Sequence, residues 1–225
     1  MLTKFKLGGA ALALVAVMGA TQARAASDQQ DLVDRARMTI EHLKTDKEFG
    51  NSPDLLKTAK AVMVVPSLVK GGFFVGGEGG QAVLLTKNSA GTWSYPAFYT
   101  LASASFGLQI GMETAELVLF LQSDKAVKAF MENQVTLGGQ AGLAVVTLGS
   151  TASAGTTTNA SADIIAWSSA TGAYAGLTLN GTVIKPRDSY NQAYYGKPET
   201  PSQIVMGHAV KKPAADPLRN VLSLR

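Results

Sequence analysis

The spacing of apolar residues changes near residue 61. Before that point, Leu32 or Val33, Ala36, Ile40 and Leu43 recur at intervals of three and four residues, which is typical of one face of a helix. Residues 61–65, Ala-Val-Met-Val-Val, begin a series of short apolar runs that end in proline or glycine. Such runs are typical of strands, whose successive side chains point to opposite faces. The pattern therefore predicts helices first and a sheet after them.

Two helices are predicted before the sheet. The first begins at Ser27, which can form a capping box with Gln30, and it runs for about five turns. The second begins at Ser52-Pro53, since proline loses no hydrogen bond at the first helical position. The apolar stripe of the first helix could pack on the sheet or lie in a membrane interface. No tryptophan or phenylalanine anchors that stripe, so packing on the sheet is favoured.

The strands are predicted from β-like runs and turn signals. Pro66 is expected to stop the first strand, and residues 88–91 form a hairpin loop that ends in glycine. Residues 106–113 and 116–122 are predicted as two strands joined by a tight turn. Asn180-Gly181 is the strongest turn signal, and it is predicted to pair residues 174–179 with residues 182–185. Residues 137–148 and 163–169 are also predicted as strands, on either side of a flexible loop.

Helices are predicted at four further places. Ser123 can cap a helix over residues 124–133, another helix ends near Gly196, and short ones follow Thr200-Pro201 and Asp216-Pro217. The strands do not alternate regularly with crossover helices. The sequence therefore predicts an α+β fold, in which a curved antiparallel sheet of about six to nine strands closes towards a barrel, with N-terminal, middle and C-terminal helices around it.

The N-terminus has the features of a cleaved signal peptide. Lys4 and Lys6 precede a short apolar core, and Ala23-Arg24-Ala25 resembles a cleavage site. Residues 1–25 are therefore predicted as a signal peptide, residues 26–200 as one domain, and residues 201–225 as a tail. There is no cysteine, which excludes a disulfide scaffold and a lipoprotein anchor. We expect a periplasmic or secreted bacterial protein, peripherally associated with a membrane.

The charge of the chain argues against nucleic acid as a partner. The 20 basic and 16 acidic residues give a net charge of +4, but three of the basic residues lie in the predicted signal peptide. The remaining charge is too small and too dispersed for the concentrated basic surface that nucleic acids require. Any attraction to anionic lipid must come from local clusters.

No residue pattern indicates an enzyme or a metalloprotein. His42 and His208, the two histidines, are far apart in the sequence, and no serine lies in a nucleophile-elbow motif. Glu113 and Glu116 are best explained as a solvated turn. Residues 77–82, Gly-Glu-Gly-Gly-Gln-Ala, match the spacing of a dinucleotide fingerprint, but a strand follows where that site needs a helix. No catalytic residue, metal or cofactor is predicted.

Several separated segments carry a family resemblance. They are residues 65–72 (Val-Pro-Ser-Leu-Val-Lys-Gly-Gly), 92–97 (Thr-Trp-Ser-Tyr-Pro-Ala), 106–111 (Phe-Gly-Leu-Gln-Ile-Gly), 116–121 (Glu-Leu-Val-Leu-Phe-Leu) and 181–187 (Gly-Thr-Val-Ile-Lys-Pro-Arg). Together they resemble the SYLF family of lipid-binding domains, which is also described as the actin-binding domain of a yeast actin-patch protein. The resemblance covers most of the chain that follows the predicted signal peptide.

The resemblance implies non-catalytic binding of phospholipid, either a generic anionic lipid or a phosphoinositide-like one. The corresponding lipid-binding residues would be Arg35, Arg37, Lys44, Lys47 and Lys70. Lys70, next to two glycines, could hold a phosphate together with backbone amides, or could be an ordinary lysine at a strand end. The expected partner is an anionic membrane surface, and actin is not expected for an exported bacterial protein. The alternative is a structural or protein-interaction module of the cell envelope.

Overall fold

The computed structural model describes residues 10–46, 52–72, 75–106, 111–138, 143–148, 162–169, 179, 181–207 and 209–223. The described residues form six α-helices: α1 (Ala10–Thr45), α2 (Ser52–Thr58), α3 (Asp124–Phe130), α4 (Asp188–Tyr195), α5 (Pro201–Val205) and α6 (Asp216–Leu222). They also form eight strands: β1 (Ala61–Gly72), β2 (Val75–Thr86), β3 (Ala97–Phe106), β4 (Gly111–Leu121), β5 (Val135–Thr136), β6 (Val145–Leu148), β7 (Ile164–Ser168) and β8 (Val183–Pro186). A 3₁₀ turn, Pro213–Ala215, precedes α6.

The eight strands belong to one curled sheet in the order β5-β8-β3-β2-β1-β4-β7-β6. Neighbouring strands are antiparallel, with the exception of the parallel pair β6 and β7 at one edge. The predicted α+β class with a curved antiparallel sheet is confirmed. Residues 83–86 lie in β2 and residues 117–121 in β4, on either side of β1.

Each face of the sheet carries its own apolar core, because the side chains along β1 alternate. Met63 and Val65 point into a cluster that includes Phe130 and Ile204, whereas Val62 and Val64 point towards α1. The stripe of α1 is fully packed in this second cluster, with the side chains of Ala36, Ile40 and Leu43 at 0% exposure. The apolar stripe is therefore core, as its composition predicted, and it is not free to insert into a membrane.

Pro66 does not stop the first strand, contrary to the prediction. It lies in a β-bulge, where the register of β1 shifts against both β2 and β4. A bulge tolerates proline because the ladder is already interrupted there. The bulge also explains one glycine of β2, because a Cβ on Gly80 would lie 2.8 Å from the Ser67 carbonyl oxygen. The two strands can approach this closely only where β2 lacks a side chain.

One predicted turn and one predicted strand pairing are wrong. Residues 106–113 and 116–122 are not two strands on either side of a turn, because β4 continues from Gly111 to Leu121 with β1 as its partner. Glu113 lies opposite Lys70 in that ladder. The second error concerns the partner of residues 182–185. The turn before them is present, since Gly181 has a φ of 83° and the Thr182 amide donates to the Leu179 carbonyl. Both edges of Val183 and Ile184 are occupied, by β3 and by β5, so the predicted hairpin with residues 174–179 cannot form there. Residues 174–178 lie outside the described part of the chain.

The helix termini agree with the sequence in most places. Ser123 caps α3, and its hydroxyl accepts from the Ala126 amide. Thr200 forms a complete capping box with Gln203 at the start of α5, and Gly196 ends α4 at a φ of 73°. The predicted start of the first helix at Ser27 is wrong for the full chain, because α1 begins at Ala10. The helical turns before Ser27 supply carbonyl acceptors for the backbone amides that follow it, so no side-chain cap is needed there.

Candidate functional site

A groove of about 590 Å³ lies where α1 crosses the bulged part of the sheet. α1 contributes Leu32 and Arg35, the bulge contributes Pro66 and Ser67, and Val69 follows on β1. Gln81 and Thr100, which face each other across β2 and β3, line it as well. Arg187, from the turn before α4, completes this side. The groove therefore combines apolar, hydrogen-bonding and cationic groups.

The two arginines of the groove differ from the other arginines whose side chains are described. Arg37 pairs with Glu41 and Arg219 with Asp216, each at 2.5 Å. Among the described residues, neither Arg35 nor Arg187 has a carboxylate within salt-bridge distance, and no acidic side chain lines the groove. The groove is therefore a locally cationic site. A guanidinium without a partner can bind a carboxylate or a phosphate through two parallel hydrogen bonds.

The orientation of Arg187 is fixed by an aromatic ring. Its guanidinium carbon lies 3.3 Å from the centroid of the Tyr190 ring, one turn later in α4. Arg187 also begins the helix, and its backbone amide donates to the Phe98 carbonyl on β3. The side chain is thus anchored at both ends by α4 and the sheet. Because the ring contact already restricts the Arg187 side chain, binding an anion here would cost less conformational entropy.

The floor of the groove is backbone. Gly79 and Gly80 contribute no side chain, and the side chain of Leu101 is buried in the core on the opposite face. A Cβ on Gly79 would have the Leu101 carbonyl oxygen, at 3.7 Å, as its nearest neighbour, which is an ordinary contact. Gly79 shares its face with Gln81 because strand residues two apart point the same way. Glycine at 79 therefore leaves open space rather than relieving a clash.

The structure does not bring the predicted lipid-binding residues together. Arg35 lies at the groove, and Lys47 lies outside the described residues. Arg37 is paired with Glu41. The ammonium group of Lys44 donates to the carbonyl of Val221, so it ties α1 to α6. Burial lowers the pKa of Lys44, an effect that the charge of Glu41 opposes.

Lys70 lies on the face of the sheet opposite to the groove. It follows Leu68, which belongs to the core cluster on that face, whereas the intervening Val69 lines the groove. Its Nζ is 3.1 Å from Glu78 Oε1, and the two side chains are only 14% and 7% exposed. The ion pair holds adjacent strands together, since Lys70 and Glu78 are register partners of β1 and β2. A phosphate would have to compete with this carboxylate.

Glu116 binds α1 to the sheet. One of its carboxylate oxygens accepts a hydrogen bond of 2.6 Å from Thr39, and the other contacts Nδ1 of His42. His42 also lies edge-on to the ring of Trp167, with 5.7 Å between the centroids. Glu116 therefore acts structurally and is not part of a solvated turn.

Within the described part of the chain, no group of histidines and acids could hold a metal ion. No helix there has the length and apolar character that a membrane span requires.

Sequence reasoning missed Arg187 as a binding residue. Arg187 ends the motif of residues 181–187, which contributes to the family resemblance, but the motif does not indicate which surface the arginine reaches. The pattern of the sequence does not indicate that α1 and the end of β8 approach the same bulge. That proximity depends on the order of the strands in the sheet.

Fold and groove define an α+β domain built on one curled sheet, and comparison with known proteins gives its family. The family model described as Ysc84, Las17-binding protein actin regulator, matches residues 102–224. The LAS seventeen-binding protein 3 of Saccharomyces cerevisiae is 33% identical over 197 residues, which are 84% of this chain and 43% of that protein. The SH3 domain-containing YSC84-like protein 1 of Rattus norvegicus is 30% identical over 185 residues, 80% of this chain and 54% of that protein.

The chain belongs to the Ysc84 family, whose domain is the SYLF domain, and the resemblance of its motifs is thereby confirmed. It spans about half the length, or less, of these relatives. The names of the family and of the yeast relative describe binding or regulatory proteins and do not name an enzymatic activity.

Proposed function

We propose that this SYLF domain is a non-catalytic module that binds anionic phospholipid surfaces through the side of the molecule on which the groove opens. The observation that carries the proposal is the pair of arginines, Arg35 and Arg187, that line the groove without a carboxylate partner among the described residues. Unpaired arginines next to apolar surface suit the phosphate and glycerol region of a bilayer. Val69, which is 37% exposed in the groove, supplies part of that apolar surface.

The protein contacts of the basic residues support a choice among them for lipid binding. Lys44 and Lys70 already have protein partners. Replacing either would disturb the fold, so a change in lipid binding could not be assigned to the lost charge. Arg37 is matched by Glu41 on the same helix, so the pair adds little net charge. Arg35 and Arg187 therefore carry the expected electrostatic attraction, about 1 kcal/mol for each basic residue near an anionic surface.

Co-sedimentation with vesicles tests this function. The protein should sediment with phosphatidylcholine vesicles that contain phosphatidic acid or phosphatidylglycerol, and much less with pure phosphatidylcholine. Binding should weaken as salt is raised, because exposed charges are screened beyond about 8 Å at physiological ionic strength. Arg35→Gln with Arg187→Gln should release the protein from anionic vesicles. Arg37→Gln, which removes a paired arginine from the same helix as Arg35, is the matched control and should bind like the parent.

A protein-interaction role, as a structural module of the cell envelope, is the second candidate. The names of the matched family and of the yeast relative favour a protein-binding role, because both name binding to Las17. The vesicle experiment separates the candidates. If the folded parent protein fails to sediment with every anionic vesicle at low salt, lipid-surface binding is wrong and a protein partner becomes the better explanation.

A further inference from the structure

We propose that the groove binds one anionic amphiphile as an individual ligand, with its oxyanion between Arg35 and Arg187 and its apolar part against Pro66 and Val69. This inference rests on the proposed lipid binding and deepens it, since attraction to a charged surface needs no defined cavity. The groove volume of about 590 Å³ is within the range of roughly 300–1,000 Å³ that is usual for small-molecule sites.

The positions of the two arginines support a defined site. Arg35 lies on α1 between buried positions, since Leu32 and Ala36 are 2% and 0% exposed, so the backbone that carries it is fixed. Arg187 is held against Tyr190. They come from elements far apart in sequence and line the same groove. Two guanidinium groups on fixed backbone can hold one oxyanion with little loss of conformational freedom.

The walls of the groove suit the rest of such a ligand. Pro66 and Val69 present apolar surface from β1, whereas Leu32 of α1, at 2% exposure, borders the groove from within the core. Gln81 on β2 and Thr100 on β3 offer hydrogen-bonding groups. They lie between the apolar residues of β1 and Arg187, which follows β8. Because the floor at Gly79 is bare backbone, a glycerol or acyl group could lie directly on the sheet. An inorganic anion would use only the arginines.

Titration with soluble ligands tests the site without a membrane. Dihexanoyl phosphatidic acid, kept below its critical micelle concentration, should bind with a stoichiometry of one in calorimetry and should perturb the NMR signals of groove residues. Hexanoate tests a carboxylate head with a single chain, and inorganic phosphate tests the head group alone. Inorganic phosphate should bind roughly tenfold or more weakly than dihexanoyl phosphatidic acid, because it leaves the apolar wall uncovered.

A matched pair of glycine variants distinguishes groove occupation from surface charge. Gly79→Val places a side chain in the groove without changing any charge, and it should weaken binding of dihexanoyl phosphatidic acid by roughly tenfold or more. Gly77→Val adds the same side chain two residues earlier on the same face of β2, outside the groove lining, and should bind like the parent. Thermal melts of both variants, and Gly79→Ala as a smaller filler, show whether the fold is kept.

The outcomes for the two proposals can be told apart. The individual site is wrong if folded Gly79→Val binds dihexanoyl phosphatidic acid as tightly as the parent, or if the parent sediments with anionic vesicles but shows no saturable binding of the soluble lipid. In that second case the lipid-surface function still stands. Saturable binding that is lost in Arg35→Gln/Arg187→Gln and in Gly79→Val supports the site, even if vesicle binding fails and the lipid-surface function is given up.

Discussion

The Nζ atom of Lys70 lies 3.1 Å from Oε1 of Glu78, and both side chains are largely buried between β1 and β2. Glu78→Gln should destabilise the protein by about 1–3 kcal/mol, because Lys70 loses the charged acceptor that lies 3.1 Å from its Nζ. Urea denaturation measures the loss. The double variant Lys70→Met/Glu78→Leu removes both charges and should recover most of it. An unchanged midpoint in Glu78→Gln would mean that the pair contributes little.

Gly80 and Gly79, neighbours on β2, should respond very differently to the same substitution. Gly80→Ala would place a Cβ 2.8 Å from the Ser67 carbonyl oxygen and 2.9 Å from a methyl group of Val65. We expect a loss of about 1–3 kcal/mol in the free energy of unfolding. Gly79→Ala, with 3.7 Å to its nearest neighbour, should leave stability nearly unchanged. Equal melting temperatures for the two variants would contradict the tight packing of the bulge.

Ile40 and Met38 test whether the stripe of α1 is core. Ile40 is 0% exposed, whereas Met38, two residues earlier, is 49% exposed. Ile40→Asp should destabilise the fold by about 4 kcal/mol or more, because it buries a carboxylate without a partner. Met38→Asp should cost little. Circular dichroism melts compare the two, and a stable Ile40→Asp protein that has lost only vesicle binding would favour membrane insertion of the stripe.

Asp163 should give the protein a component of acid sensitivity. The hydrogen bond from Ser123, and a second one from the Ala144 amide, hold the pKa of Asp163 below its ordinary value of 3.8. A pKa that is lowered on folding adds stability above the unfolded value, and this is lost as the pH falls through the folded value. Wild type should therefore lose stability below about pH 4, and Asp163→Asn should lose less over that range. Chemical denaturation at a series of pH values measures both. Asp124→Asn, at a side chain that is 78% exposed, is the control.

Export predicts a defined N-terminus. If residues 1–25 are a signal peptide, protein recovered from the periplasm or the medium should begin at Ala26. Intact-mass analysis decides this directly. Recovery of a membrane-embedded product that retains residues 1–25 would contradict cleavage.

The sequence predicts the local structure of this protein better than its long-range arrangement. The stripe of α1, the caps at Ser123 and Thr200 and the turn at Gly91 follow from spacing and turn chemistry, which act over a few residues. The partners of β8 cannot be derived in this way, because a strand of alternating residues can pair with many others. The Asn-Gly turn indicates pairing only with the segment that precedes it in the sequence. The groove depends on those partners. Arg35 could therefore be proposed from the sequence, and Arg187 could not.

The segment after residue 200 has a consequence for the order in which the protein can fold. Ile204 and Val205 complete the core on one face of the sheet, and Leu218 and Leu222 complete the core beneath α1 on the other. Both cores therefore lack part of their packing until residues 201–222 are in place. Folding that begins on the earlier strands must leave both apolar faces partly exposed until this segment docks. We expect a chain truncated at residue 200 to keep that exposure and to aggregate.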